Sequence, residues 1–375
     1  MNEIKQLLEE KLCLLEKHNL TGLARVFLMS TVAGFLMVIL PGLGLNKLLP
    51  ELGILNAKIA NPMPFAKDPF ENIYPKLEAK VNNYSLQKEM PTVLAATAIA
   101  SENEFDQLNA YAVIDFNSGK VIESKNLSEE VSVASLTKIM TAVVALDLSH
   151  PTDIFTISEK AESMIPTKIG VVKGQKMTLE ELLNAAILTS ANDAVQAIRE
   201  GVDTQYGSEV FIKAMNEKAK FLNLGHTNFN NPQGFDANDH YSTAEDLAIL
   251  THYALTNYPL IDELSKKEYA FLKENSNHKQ FDLYNWNGLL GVYPGASGVK
   301  IGNTGNAQKT TIVTAEREGK EILVVVLGAP SVLDRDMWAA QLLDLGFEEE
   351  YGLKPVSITE EQLKAKYKTW KYWTE

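Results

Sequence analysis

An α+β fold is predicted, with an antiparallel sheet flanked by helices and a helical region inserted between its strands. Strand patterns lie at both ends of the main body and helical patterns fill the middle, with no internal repeat. One long apolar segment precedes this body and reads as a single N-terminal transmembrane helix.

Taken in order, Ala110–Phe116 (AYAVIDF) alternates as a strand does, Asn117-Ser118-Gly119-Lys120 is a turn, and Val121-Ile122-Glu123 returns. Ser135–Leu148 (SLTKIMTAVVALDL) is apolar nearly all round, which predicts a buried central helix. Thr178-Leu179-Glu180-Glu181 is a capping box that opens a helix running to about Thr189. Another helix begins at Asp193–Ile198, and helical spacing continues through Val210–Leu222 and Ser242–Leu255. Lys309–Thr314 and Glu321–Leu327 form a terminal strand pair around Glu318-Gly319-Lys320.

From Val26 to Leu45 the chain carries no charge, a run of 20 residues that suffices to span a bilayer core as a helix. Lys17 and Arg25 precede it and Lys47 follows, which orients the N-terminus inside and the bulk of the chain outside. The long lead-in and the lack of an Ala-x-Ala site after Leu45 favour an uncleaved anchor, while Pro41 keeps a cleaved signal peptide open. Prolines 50, 62, 64 and 69 mark a spacer. The last residues, Gln362–Glu375, mix lysines with Trp370 and Trp373, which suits either an interfacial membrane contact or a frayed polar tail.

The net charge of −13 and the lack of a basic, aromatic-interleaved patch argue against nucleic acid. A single cysteine, Cys13, excludes an internal disulfide. Six scattered histidines give no metal-binding spacing, so neither metal nor cofactor is implied.

Ser135-Leu136-Thr137-Lys138 is a Ser-x-x-Lys, and on a helix residues three apart share a face. A buried lysine loses charge through desolvation and can take the serine proton. The motif alone means little, since it also occurs at Ser85, Ser276 and Ser297. Ser-x-Asn occurs at Ser101, Ser124 and Ser190, and Lys-Ile-Gly at Lys168 and Lys300. Context selects one set. Ser135 opens the long apolar helix, Ser190-Ala191-Asn192 joins two amphipathic helices, and Lys300-Ile301-Gly302 runs into the terminal strand pair.

On that set, and on ILTSANDAV, NFNNPQGFDANDHYSTAEDLA (Asn228–Ala248) and YPGASGVKIGNTGNA, the chain resembles the penicillin-binding serine D-Ala-D-Ala carboxypeptidases, relatives of the class A β-lactamases. The resemblance covers roughly Ala110–Phe347 and implies a β-lactamase/transpeptidase-like fold. It implies a peptidoglycan stem peptide ending in D-Ala-D-Ala as substrate and β-lactams as covalent inhibitors. Ser135 would be the nucleophile, Lys138 its base, and Ser190 a proton relay acting with Lys300. Asn192, Lys300, Gly302, Asn303 and Thr304 would bind substrate, with the Ser135 and Asn303 N–H groups as the oxyanion hole. By itself Asn231-Pro232-Gln233-Gly234 reads as a turn and His240 as a loop residue.

The expected organisation is a cytoplasmic segment (1–25), a signal anchor (26–45), a linker (46–70), a carboxypeptidase-like catalytic domain (71–350) and a tail (351–375), with the membrane as a partner. One departure is Ile301, which stands where the family carries Thr or Ser and removes a hydroxyl aimed at the substrate carboxylate. A weak or silent stem-peptide binder and a β-lactamase are the alternative readings. No convincing counterpart of the β-lactamases' deacylating glutamate loop is recognisable.

Overall fold

A computed structural model of the protein describes residues 70–88 and 104–371. The expected anchor at 26–45, the segment 1–25 and the linker up to residue 69 lie outside the described residues. No helix among the described residues is long and apolar enough to cross a membrane.

Five antiparallel strands form the main sheet: β1 (Ala110–Asp115), β2 (Val121–Lys125), β3 (Ala296–Thr304), β4 (Gln308–Arg317) and β5 (Lys320–Ala329). Their spatial order is β2-β1-β5-β4-β3, so the first hairpin and the last three strands, far apart in sequence, complete one sheet. Strands β1 and β5 join the two parts in register, with Val113 opposite Val324. Between these parts the chain supplies helices α1 (Lys138–Leu148), α2 (Leu179–Ile187), α3 (Asn192–Tyr206), α4 (Val210–Phe221), α5 (Ala244–Asn257) and α6 (Pro259–Lys266). Two further helices follow the sheet, α7 (Val332–Tyr351) and α8 (Glu360–Tyr367). This is the predicted α+β arrangement with an inserted helical region.

The period-two alternation of strands sorts the core into two layers. Ala112, Ile114, Leu323 and Val325 point to the helical region, among Ile139, Val143 and Leu247. Tyr111, Val113, Val324 and Val326 point to α7, among Trp338, Leu342 and Phe347. With both faces covered, β5 reads as the unbroken apolar run Ile322–Leu327 rather than an alternating one. Helix α1 is surrounded by α2, α3, α4 and α5, which explains why it is apolar all round. The capping box of α2 forms as expected, with Thr178 and Glu181 exchanging side chain-to-backbone bonds.

Two parts differ from the expectations. The Lys-Ile-Gly stretch belongs to a full strand, β3, at the sheet edge. The C-terminal tail through Lys371 is neither frayed nor free: α8 carries its own capping box, Leu363 is fully buried, and Trp370 is only 9% exposed. The domain therefore runs past residue 350.

Candidate active site

The nucleophile candidate sits on a single 3-10 turn, Ala134–Thr137, that feeds directly into α1. Ala134, just before Ser135, has φ 49°, in the left-handed region that an L-residue occupies only when its surroundings impose it. Its carbonyl accepts the Thr137 hydroxyl at 2.8 Å. Gly234 presses on the same carbonyl so closely that a Cβ there would lie 1.9 Å from the oxygen. Thr137 in turn meets His240 Nε2 at 2.8 Å, while His240 Nδ1 accepts the Asn230 N–H at 3.1 Å. That bond at Nδ1 puts the ring proton on Nε2. Burial lowers the His240 pKa to about 4, so the ring stays neutral near pH 7.

Lys138 is completely buried one turn beyond Ser135. Its Nζ lies 2.8 Å from Ser135 Oγ, 2.9 Å from Asn192 Oδ1 and 2.8 Å from the Gln233 carbonyl oxygen. Desolvation lowers its pKa to about 7, against the opposing pull of Asp193. Asn192 Oδ1 and the Gln233 carbonyl can only accept hydrogen bonds. A neutral amine therefore spends its two N–H groups on them and turns its lone pair to the Ser135 hydroxyl. That is the geometry a serine's general base requires.

Asn192 opens α3 and also donates from Nδ2 to the Ile165 carbonyl at 3.2 Å. The neighbouring Asp193 carboxylate receives the N–H groups of Ile169, Gly170 and Val171. Together they hold the 165–171 loop as one wall of a cleft of about 660 Å³. Ser190 lines that cleft, with φ 59° at the joint between α2 and α3. The second Lys-Ile-Gly, at Lys168, lies on this loop wall.

The opposite wall is β3, whose outer edge no other strand of the sheet covers. Gly302 and Asn303 line the cleft there. Lys300 is buried behind them, its Nζ donating to the Ile301 carbonyl at 3.0 Å. Burial first, then the nearby charges of Lys138 and Arg335, push the Lys300 pKa well below the usual lysine range.

Thr304 is not brought to the cleft. Its hydroxyl donates to Asp236 at 2.7 Å and accepts the Ala307 N–H at 3.1 Å, so it closes the β3–β4 turn. This placement departs from the expectation that Thr304 binds substrate.

Three contributors were missed. Gln233 acts through its carbonyl and His240 through Thr137, so neither looks like anything but a loop residue in sequence. Arg335, on α7, is 1% exposed and lines the cleft, paired side-on with Asp336 at 2.7 and 3.0 Å. Its sequence signal is a charged triplet, Asp334-Arg335-Asp336, in an otherwise apolar stretch. Among the described residues no group of three or more His, Cys, Asp or Glu could hold a metal ion.

Comparison with known proteins fits this geometry. The family model described as D-alanyl-D-alanine carboxypeptidase matches residues 96–331. The chain is 35% identical over 242 residues to the D-alanyl-D-alanine carboxypeptidase DacF of Bacillus subtilis, covering 63% of this chain and 61% of that one. It is 31% identical over 281 residues to DacC of Escherichia coli, covering 70% and 68%. The match thus spans about three fifths of the length of the Bacillus relative. The crystal structure of the Streptomyces K15 DD-transpeptidase superposes with a TM-score of 0.60 at 27% identity, over 64% of this chain and 97% of that one. The chain belongs to the D-alanyl-D-alanine carboxypeptidase family of serine peptidases.

Proposed function

We propose that this protein is a serine-type D-Ala-D-Ala carboxypeptidase that trims peptidoglycan stem peptides. The observation that carries the reading is Lys138. Two pure acceptors consume its N–H groups, and its remaining side faces Ser135 Oγ.

Ser135 Oγ attacks the carbonyl carbon of the penultimate D-Ala as its proton passes to Lys138. The Ser135 and Asn303 N–H groups stabilise the developing oxyanion. Collapse breaks the peptide bond, and the proton held by Lys138 is relayed through Ser190 and Lys300 to the departing D-Ala amine, which leaves Lys138 neutral again. Water, deprotonated by Lys138, then attacks the acyl-enzyme ester and releases the shortened peptide. Asn192 orients both the amine and the peptide. Arg335 and Lys300 supply the positive potential for the terminal carboxylate, a task in which Ile301 offers no hydroxyl.

The test is D-Ala release from a diacyl-Lys-D-Ala-D-Ala peptide, alongside labelling by a fluorescent penicillin. Label on the peptide containing Ser135, absent in Ser135→Ala, together with D-Ala release, supports the reading. Label without D-Ala release favours the silent relative, for which Ile301 is the specific support. Rapid loss of the label identifies a β-lactamase. Label on Ser85, Ser276 or Ser297 overturns the site.

The charge-free run 26–45 supports a single-pass anchor with the catalytic domain on the extracytoplasmic side. A reporter fused after residue 60 should be active only outside, and the mature N-terminus should be intact. A mature N-terminus within 46–60 would show cleavage instead.

A further inference from the structure

The chain that follows the sheet returns to the cleft. Helix α8 is fixed at its start by the Thr359–Gln362 capping box and along its length by Leu363, which is buried in the α7 core layer. Beyond it, Trp370 packs with Ile301, Trp286 and Val332 in a small apolar cluster, with Tyr284 and Tyr367 against it. The Tyr367 and Trp370 rings lie 4.7 Å apart. Ile301, Trp286, Val332 and Tyr284 all line the cleft, and so does Lys371, whose Nζ lies 5.9 Å from the centre of the Tyr284 ring. The Tyr367 hydroxyl donates to Asp336 at 2.9 Å, and Asp336 is the carboxylate that holds Arg335.

We infer that residues 360–371 back a specificity-determining wall of the substrate site, formed by Tyr284, Trp286, Ile301 and Val332, which selects for an aliphatic side chain larger than methyl on the peptide's last D-residue. The inference rests on the carboxypeptidase reading above. Position 301 is where a hydroxyl would face the terminal carboxylate, and here it presents an sec-butyl group to an aromatic wall. The carboxylate is left to Arg335 and Lys300, and the wall is left for the side chain. Trp370 backs the wall and bears on the side chain through Ile301 and Trp286. Tyr367 is a positioning residue, acting on Arg335 through Asp336. A peptide ending in D-Leu therefore gains apolar contact that D-Ala cannot reach, and a hydrophobic pocket distinguishes such groups by about ten- to two-hundredfold.

The experiment compares release of D-Leu and D-Ala from otherwise identical diacyl-Lys-D-Ala-D-Xaa peptides, using the full chain in detergent. The wild-type protein should process the D-Leu peptide with kcat/KM at least equal to that for D-Ala. Trp370→Ala should lower the D-Leu to D-Ala ratio about tenfold, through KM and not kcat. Trp370→Phe, which keeps a ring in place, should retain most of the ratio and guards against a folding defect in the alanine variant. Tyr367→Phe should raise KM for both peptides alike. If the wild type strongly prefers D-Ala, or Trp370→Ala leaves the ratio unchanged while penicillin labelling and D-Ala release persist, this inference fails and the carboxypeptidase reading stands. If the wild type neither labels nor releases either residue, both fall.

Discussion

A methyl group on Gly302 would stand 2.9 Å from the backbone nitrogen of Ser135. The same methyl would meet Ala134 Cβ at 2.9 Å and the Thr310 hydroxyl at 2.5 Å. Strand β3 thus approaches the nucleophile's turn at a separation only glycine permits, and the space above Ser135 N–H stays open for an oxyanion. Gly302→Ala should cut the rate of β-lactam acylation by at least about a hundredfold, the scale of losing one oxyanion donor. The melting temperature should fall only modestly. Acylation within a factor of three of wild type would show that the close approach has no catalytic role.

Lys138 predicts a pH profile. Its pKa is lowered to about 7, so below that pH the ammonium form prevails and cannot take the Ser135 proton. Acylation kcat/KM should fall about tenfold per pH unit below 7 and level off above it. Lys138→Arg keeps the charge but cannot deprotonate, and should lose at least about a hundredfold. A flat profile from pH 5 to 8 would mean that another group accepts the proton.

His240 should matter without shaping that profile. Its ring holds Thr137, and Thr137 holds the Ala134 carbonyl beside the nucleophile. His240→Ala removes the restraint on a turn that carries a left-handed residue, and acylation should drop about tenfold or more. Because His240 stays neutral above about pH 5, the midpoint near 7 should not move in the variant. A shifted midpoint would assign the titration to His240 and not to Lys138.

Ile301→Thr restores the hydroxyl the family motif supplies. A hydrogen bond to a charged group is worth roughly 1.5–3 kcal/mol, so kcat/KM on a D-Ala-D-Ala peptide should rise about tenfold or more. The change also removes apolar contact from the cluster with Trp286, Val332 and Trp370, at a cost of about 1 kcal/mol in stability. Unchanged kcat/KM, measured alongside a denaturant melt, would show that the carboxylate does not approach this position.

The fold was legible where a single physical pattern ruled a segment. Alternation marked β1, the all-round apolar run marked α1, and the Thr178–Glu181 box marked α2. Helix α7 was not read, because its core face carries Arg335, Asp336 and Asp344. Those charges are buried on partners that only the folded chain supplies: the Arg335–Asp336 pair with the Tyr367 hydroxyl, and Asp344 with the Tyr293 hydroxyl and the Val356 and Ser357 N–H groups. The site followed the same division. Ser135, Lys138 and Asn192 stood in local motifs and come together as expected. Gln233 contributes a backbone oxygen, which every residue has, so its identity carried no signal. Thr304 follows the Lys-Ile-Gly stretch in sequence, but the end of β3 turns its hydroxyl towards Asp236.

The crowding of Lys300 by Lys138 and Arg335 has a thermodynamic consequence. Burial first, and then the neighbouring Lys138 and Arg335, disfavour the charged form of Lys300 in this water-poor region. A bound carboxylate would reverse that, favouring the charged form of Lys300 and drawing a proton from solution as the ligand enters. Calorimetric titration of a D-Ala-D-Ala peptide into Ser135→Ala should then give a heat that depends on the ionisation enthalpy of the buffer, with net proton uptake at neutral pH. The same ligand should raise the melting temperature, since it binds only the folded chain. Catalysis is not needed for either effect: the unliganded cleft holds Lys300 short of a proton that a well-placed anion restores.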